Sequence, residues 1–286
     1  MERETVGQAR RHQKRIEAAK HAIILVVLFM TFFPLYVMLQ ASVKDNATFL
    51  ANPWLPTNPL TTTWHFENWT AGWKILGPYI ANSVFVSVLG TAGALSLGLL
   101  AAYFFARFKM PLANVFWSAL MLLMLMPAIA NLVPLFLLLK KFHLLNTLWG
   151  LIVVGATGGQ VVNIFILRNF IEDLPYDLFE AAEVDGAGHL AQLWNVVVPL
   201  SGPILSTLAI LQFIGIWNDF ILGLVILSDK DLFTLGVGLI YLDGEYMKNW
   251  GVVMAAYAIA AIPLVLIFIF TMRLFVRGLS AGAIKG

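Results

Sequence analysis

Residues 180–199 read EAAEVDGAGHLAQLWNVVVP, a short polar island in an otherwise apolar chain. Glu180-Ala181-Ala182 is followed by three residues, then Gly186, then nine more and Val196-x-Val198-Pro199. The island lies in a longer segment, 169–203, which holds Glu172, Asp173, Asp177, Glu180, Glu183 and Asp185 but no lysine or arginine. Those are six of the sixteen acidic residues, within fourteen positions, so the segment is solvated. Asp173 is expected to cap a helix whose first turn contains Pro175. Residues 176–185 then make about two and a half turns. Phe179, Ala182 and Glu183 fall near one face, and Ala181 and Asp185 share another. Gly186 and Gly188 end that helix, because glycine adopts the left-handed conformation freely. A second helix is predicted over 189–197, stopping near Pro199.

Around this island the chain is built for lipid. Of its 286 residues 60% are hydrophobic and only 12% charged, about half the charged share of a soluble domain. Runs free of Asp, Glu, Lys and Arg cover 21–43, 75–106, 110–139, 142–167, 186–218 and 249–272. Each exceeds the ~20 residues a helix needs to cross ~30 Å of hydrocarbon. Barrel strands would be shorter and alternating. The prediction is an all-α integral membrane protein with helices near 21–41, 79–105, 114–138, 148–168, 204–227 and 251–275. The first apolar run is too long for a secretory signal and is read as a retained helix.

Lysine and arginine set the expected orientation. With both termini inside, the inner segments hold twelve of these residues and the outer segments six. One comparison runs the other way: the predicted outer turn 139–147 carries Lys140 and Lys141, while the inner segment 169–203 carries none. The expected layout is a basic inner segment 1–20, one transmembrane domain over 21–275, and an inner tail 276–286. The domain includes an outer loop 42–78 and the inner loop 169–203. The outer loop carries Pro53, Pro56 and Pro59, which break a helix, and four of the nine tryptophans, which suit an interface. A further outer segment, 228–250, could hold a short interfacial helix.

Residues for chemistry are few. There is no cysteine, hence no disulfide framework. Histidines at 12, 21, 65, 143 and 189 have no ligand spacing. No phosphate loop G-x-x-x-x-G-K-[ST] occurs. Gly155-Ala-Thr-Gly-Gly159 lies in an apolar span and reads as close helix packing through small residues. Asp219 is the one acidic residue placed within a span, where an ionised group must face protein or water. With Trp217 and Asn218 it suits a sugar, since carboxylates and amides bond hydroxyls and an indole covers the apolar ring face. The competing reading of Asp219 is a structural bond or a helix end. Asn163, Gln160 and Gln212 could also line a path. Pro34, Pro127, Pro134 and Pro263 fall within spans and either kink helices around that path or reflect tolerance of proline in membrane helices.

The 180–199 pattern resembles the EAA loop of ATP-binding-cassette (ABC) importer permeases. AYFFARFKMP (102–111), PLFLLLKKFHLLNTLWGLI (134–152), WNDFILGLVIL (217–227) and FVRGLSAGAIKG (275–286) are similar to carbohydrate-uptake permeases of the maltose-permease type. Valines at 196 and 198 stand where that family usually has isoleucine or leucine. The resemblance implies a six-span, non-enzymatic permease subunit in a bacterial or archaeal cytoplasmic membrane. It implies contact with lipid, a second homologous permease, two copies of a cytoplasmic ATPase and an extracytoplasmic sugar-binding protein, and no nucleic acid. Glu180, Ala181, Ala182, Asp185, Gly186 and Pro199 would couple to the ATPase. ATP and Mg would sit on that partner, with no cofactor on this chain. Trp217, Asn218, Asp219, Asn163 and Gln160 would be the substrate-path candidates. A polyol or glycerol phosphate importer would carry the same motifs. A secondary transporter would instead need more intramembrane charge and two internal halves. A membrane-embedded enzyme lacks a catalytic cluster.

Overall fold

The computed structural model describes residues 2–55, 63–109, 111–125, 131–246 and 249–283. All regular structure among them is helical. Contacts divide the chain into two compact units, residues 1–74 with 242–261 and residues 75–241 with 262–286.

The first unit begins with helix α1, Glu2–Ala41. The basic segment is therefore the start of one continuous helix. Within Arg15–Ala41 the most apolar 18-residue window has mean hydropathy 2.6 and buries nothing. Such a surface is stable only in a non-aqueous solvent. Beyond α1 the chain turns at Ser42–Lys44 into α2, Asn46–Ala51. Asp45 caps α2 by accepting the Thr48 amide at 3.0 Å, and the Thr48 hydroxyl, with that amide, holds its carboxyl below the ordinary range.

Lys44 is 1% exposed. Its Nζ donates to the Asn52 and Leu55 carbonyls at 2.6 and 2.7 Å, and burial pushes its pKa down from 10.5. The Asn68 amide donates to the Ser42 and Lys44 carbonyls, and the Trp69 indole to Ser42 Oγ. Trp250 donates its backbone N–H to Asn46 and stacks on Phe49. This knot exists because Ser42 and Lys44 present backbone carbonyls just where α1 has ended.

Helix α3, Glu67–Arg107, starts in the first unit and continues through the second. It begins twelve residues before the predicted 79, so the expected outer loop 42–78 ends earlier as irregular chain. Pro56 and Pro59 lie outside the described residues. In the second unit follow α4 (Ala113–Leu123), α5 (Leu132–Lys141), α6 (Leu148–Thr157) and α7 (Gln160–Glu172). Then come α8 (Asp177–Val184), α9 (His189–Gln192), a π turn (Leu193–Val197), α10 (Val198–Leu200), α11 (Gly202–Asn218) and α12 (Phe220–Ile226). Helix α13 (Leu235–Tyr246) and α14 (Trp250–Ala283) close the chain. Helix α13 occupies the segment expected to hold a short helix, and α14 runs on through most of the expected C-terminal tail.

Among the described residues, three helices are long and apolar enough to cross a membrane: Arg15–Ala41, Glu67–Arg107 and Trp250–Ile269. Two bent pairs raise the number to five at most, Leu148–Thr157 with Gln160–Glu172 at 41° and His189–Leu200 with Gly202–Asn218 at 80°. The predicted single helix 114–138 is represented by α4 and α5, and Pro127 between them is outside the described residues. The predicted 148–168 helix breaks at Gly158–Gly159, where Gly159 takes φ +70°. The predicted 204–227 helix breaks at Asp219.

These breaks are stabilised from within. Gln212 Nε2 donates to the Gly155 and Gly158 carbonyls at 3.1 Å each, satisfying groups freed where α6 ends. Gln160 Nε2 donates to Ala94 and Ala156 carbonyls. Within the glycine run, Gly155 and Ala156 pack closely as expected, whereas Gly158 and Gly159 form the break. A Cβ on Gly90 would lie 2.8 Å from Ile216 Cδ1 and 3.6 Å from Gly155 Cα, and one on Gly93 would lie 2.7 Å from Ala156 Cβ. Small residues let α3 and α6 approach closely where lipid gives no hydrophobic drive.

Candidate functional site

Two features of the second unit stand out, the 169–203 loop and a cavity. The loop hangs from α7, whose end carries an Arg168–Glu172 ion pair at 2.8 Å. Asp173 is the C-cap of α7, and Tyr176 is the N-cap of α8 without a side-chain bond. The expected Asp173 cap is thus corrected: the chain needs the Leu174-Pro175 turn before it can re-enter a helix.

Helix α8 sits on one anchor. Phe179 is 1% exposed and packs in a cluster with Leu99, Ala102, Tyr103, Leu167, Ile171 and Leu193. The Arg107 guanidinium lies 3.8 Å over the Phe179 ring and 4.9 Å from that of Tyr176. The opposite face is open. Glu180, Ala181, Glu183, Val184 and Asp185 are exposed, and Ala182 is half-buried.

Gly186 ends α8 at φ +80°. Its N–H bonds the Glu183 carbonyl at 3.0 Å and the Ala187 N–H bonds the Ala182 carbonyl at 2.8 Å. This paired arrangement is a Schellman cap. Gly188 starts α9, and the helix then widens into the π turn before Pro199, which is exposed. Val198 donates to Leu193 five residues back, a shift that accommodates a proline with no N–H to give.

Sequence reasoning missed the groups that tie this loop down. Tyr103 donates its hydroxyl to Gln192 Oε1 at 3.0 Å, and Gln192 Nε2 donates to Glu183 Oε1 at 3.3 Å and to the Ala187 carbonyl at 3.2 Å. His189 packs its ring 4.7 Å from Phe108 and brings Nδ1 to 3.3 Å from the Tyr103 hydroxyl. One signal was available: Tyr103 and Gln192 are polar groups at positions whose neighbours are apolar.

The cavity measures about 650 Å³. Its walls are mostly aliphatic, from Val86, Leu135, Leu151, Val154, Leu211 and others, floored by Gly155, Gly158, Gly159 and Gly215. Three polar side chains join the lining: Gln212, Asp219 and Thr234. Thr234 Oγ1 is buried with no hydrogen-bond partner among the described residues. Asp219 is exposed and sits between helices, its carboxylate accepting the Leu222 amide at 3.2 Å as the cap of α12. It is therefore a helix end that also faces the cavity. The other path candidates are elsewhere. Trp217 is 5% exposed and stacked on Phe213, Asn218 is exposed, and Asn163 and Gln160 pack between α7 and α3. None of these four lines the cavity.

A model of the family described as binding-protein-dependent transport system inner membrane component matches residues 94–281. The chain belongs to this family. It is an ABC transporter permease, a membrane-embedded transport subunit. The permease is 30% identical over 276 residues to the diacetylchitobiose uptake system permease protein NgcG of Streptomyces coelicolor, covering 95% of this chain and 90% of that one. It is also 30% identical to the arabinooligosaccharides transport system permease protein AraQ of Halalkalibacterium halodurans, covering 91% and 93%. Its fold matches a chain in the crystal structure of a bacterial ABC transporter importing the acidic polysaccharide alginate. The TM-score is 0.77 at 23% identity, with 91% of this permease and 97% of that chain covered.

Proposed function

We propose that this permease forms half of the pathway of an ATP-driven sugar importer and that α8 docks on a separate ATPase. In this reading six spans cross a cytoplasmic membrane with both termini inside, α4 and α5 together serving as the third. A second homologous permease completes the path. An extracytoplasmic binding protein delivers the sugar, and two ATPase copies bind ATP and Mg below.

One observation carries the reading. Helix α8 buries a single side chain, Phe179, while Glu180, Ala181, Asp185 and Gly186 stay open to a partner. A short, rigid, small-residue helix fits a groove, and its carboxylates can meet basic groups or backbone amides there. The sugar assignment rests on relatives named for diacetylchitobiose and arabinooligosaccharides. Glu180, Ala182 and Pro199 belong to the docking set.

Gentle extraction of a tagged chain tests this. Co-purification of a soluble ATPase with a phosphate loop and of a second permease is the expected result. ATP-independent solute flux by the chain alone would overturn it. Uptake of a polyol or glycerol phosphate rather than a saccharide would correct the substrate class only.

A further inference from the structure

The glycine elbow poses a mechanical problem. A Cβ placed on Gly186 or Gly188 would meet nothing within 4 Å, so packing does not stiffen the joint between α8 and α9. A push on α8 would be absorbed there unless something bridges the joint. Gln192 does. It is 1% exposed, and its two amide hydrogens reach Glu183 on α8 and Ala187 in the elbow. Its oxygen accepts the Tyr103 hydroxyl from α3. All three bonds use groups of the right polarity, and the burial of Gln192 shields its amide from water.

One turn further along α3, Arg107 covers Phe179 and Tyr176 at the other end of α8. The last two turns of α3 thus grip α8 at both ends. The same helix passes the Gly90–Gly155 contact and presents Val86 to the cavity. From Tyr103 back to Val86 is 17 residues, about 25 Å of straight rod at 1.5 Å per residue.

We propose that Tyr103, Gln192 and Arg107 are positioning residues for coupling. They lock α8 to α3 so that movement at the loop reaches the cavity through α3. The inference rests on the α8 docking reading above. A buried glutamine that merely satisfied its neighbours would support folding but not the transfer of motion, and the two are separable.

The chain has no cysteine, so label sites can be placed freely on it. In the complex purified with its partners, Leu97→Cys on α3 and Leu137→Cys on α5 carry a spin-label pair. Distances are measured with and without ATP and Mg, beside phosphate release. We expect ATP to shift the distance in the unsubstituted complex. Tyr103→Phe and Gln192→Ala should cut the shifted population about two- to tenfold while hydrolysis continues, as expected for loss of one bond in the first and three in the second. The double variant should be no worse than the poorer single variant, because the two share one contact. Gln192→Glu paired with Glu183→Gln reverses the bond to α8 but leaves the Ala187 carbonyl without its donor, so it should restore the shift in part. A second label pair, Val184→Cys with Leu190→Cys, should broaden in Gln192→Ala even without partners.

Unchanged shift and width in the Tyr103 and Gln192 variants would overturn the inference. If Glu180→Lys abolishes the shift in the same assay, the docking reading survives that result. No ATP-driven shift in the unsubstituted complex would overturn both.

Discussion

Gly186 and Lys44 show how differently two residues can be read from sequence. The glycine's position after a short acidic helix announces a C-cap, and the structure places it at φ +80° with open space around it. Any cost of substitution is therefore conformational, roughly 1–2 kcal/mol for a side chain forced left-handed, and least for asparagine. Gly186→Asn should keep most uptake, whereas Gly186→Val should uncouple uptake from ATP hydrolysis while the protein still inserts. Equal uptake by both would remove Gly186 from the coupling argument. Lys44 was legible only as one more outer positive charge. Its burial depends on carbonyls supplied by Asn52 and Leu55, and no local pattern encodes that. Lys44→Met strands both carbonyls and should cost about 1–3 kcal/mol, read from the melting of the purified protein. Burial lowers the folded-state pKa below 10.5. Between that lowered value and 10.5 the unfolded chain binds more protons, so stability rises with pH across the window. A rise just below pH 10.5 that persists in Lys44→Met would assign it to another group.

At the scale of elements, charge-free runs located the apolar helices but not their continuity. Apolarity reports depth in lipid, while breaks depend on single groups that can satisfy freed carbonyls. Gln212 is such a group: one amide nitrogen holds both Gly155 and Gly158. Gln212→Leu should lower stability by about 1–3 kcal/mol in lipid nanodiscs, because two carbonyls at the α6–α7 break lose their donor. Melting unchanged from the parent would mean the break holds itself. Asp219 marks the second break, where a span was expected to continue. Asparagine also caps helices, so Asp219→Asn should preserve the α11–α12 joint while removing the charge at the cavity. The expected effect is a several-fold change in KM for sugar with assembly intact. Unchanged uptake kinetics would leave Asp219 a cap and nothing more. Trp217, read beforehand beside it as a sugar platform, packs inward because α11 is still regular at that residue and turns it onto Phe213.

For the whole molecule, the open matter is orientation. Twelve inner against six outer basic residues favour both termini inside, but the 139–147 turn and the 169–203 loop argue the opposite way locally. Lys44, counted outside, is buried against backbone carbonyls, so the outer count overstates loop charge by one. On the proposed docking role, the loop's lack of basic residues has a reason of its own, since internal ion pairs on α8 would compete with a partner. Charge bias therefore measures orientation here only after functional charges are set aside, and what remains predicts α8 inside and the turn before the Lys230–Leu232 helix outside. A cysteine-free chain makes this directly measurable. Val184, 88% exposed on α8, and exposed Asp229 are replaced singly by cysteine and treated with a membrane-impermeant maleimide. Val184→Cys should react only in inside-out vesicles and Asp229→Cys only in right-side-out vesicles. The reverse pattern would place α8 outside, away from any cytoplasmic ATPase. Labelling of both from one side would mean that an odd number of crossings does not separate them, and the six-span arrangement would have to be redrawn.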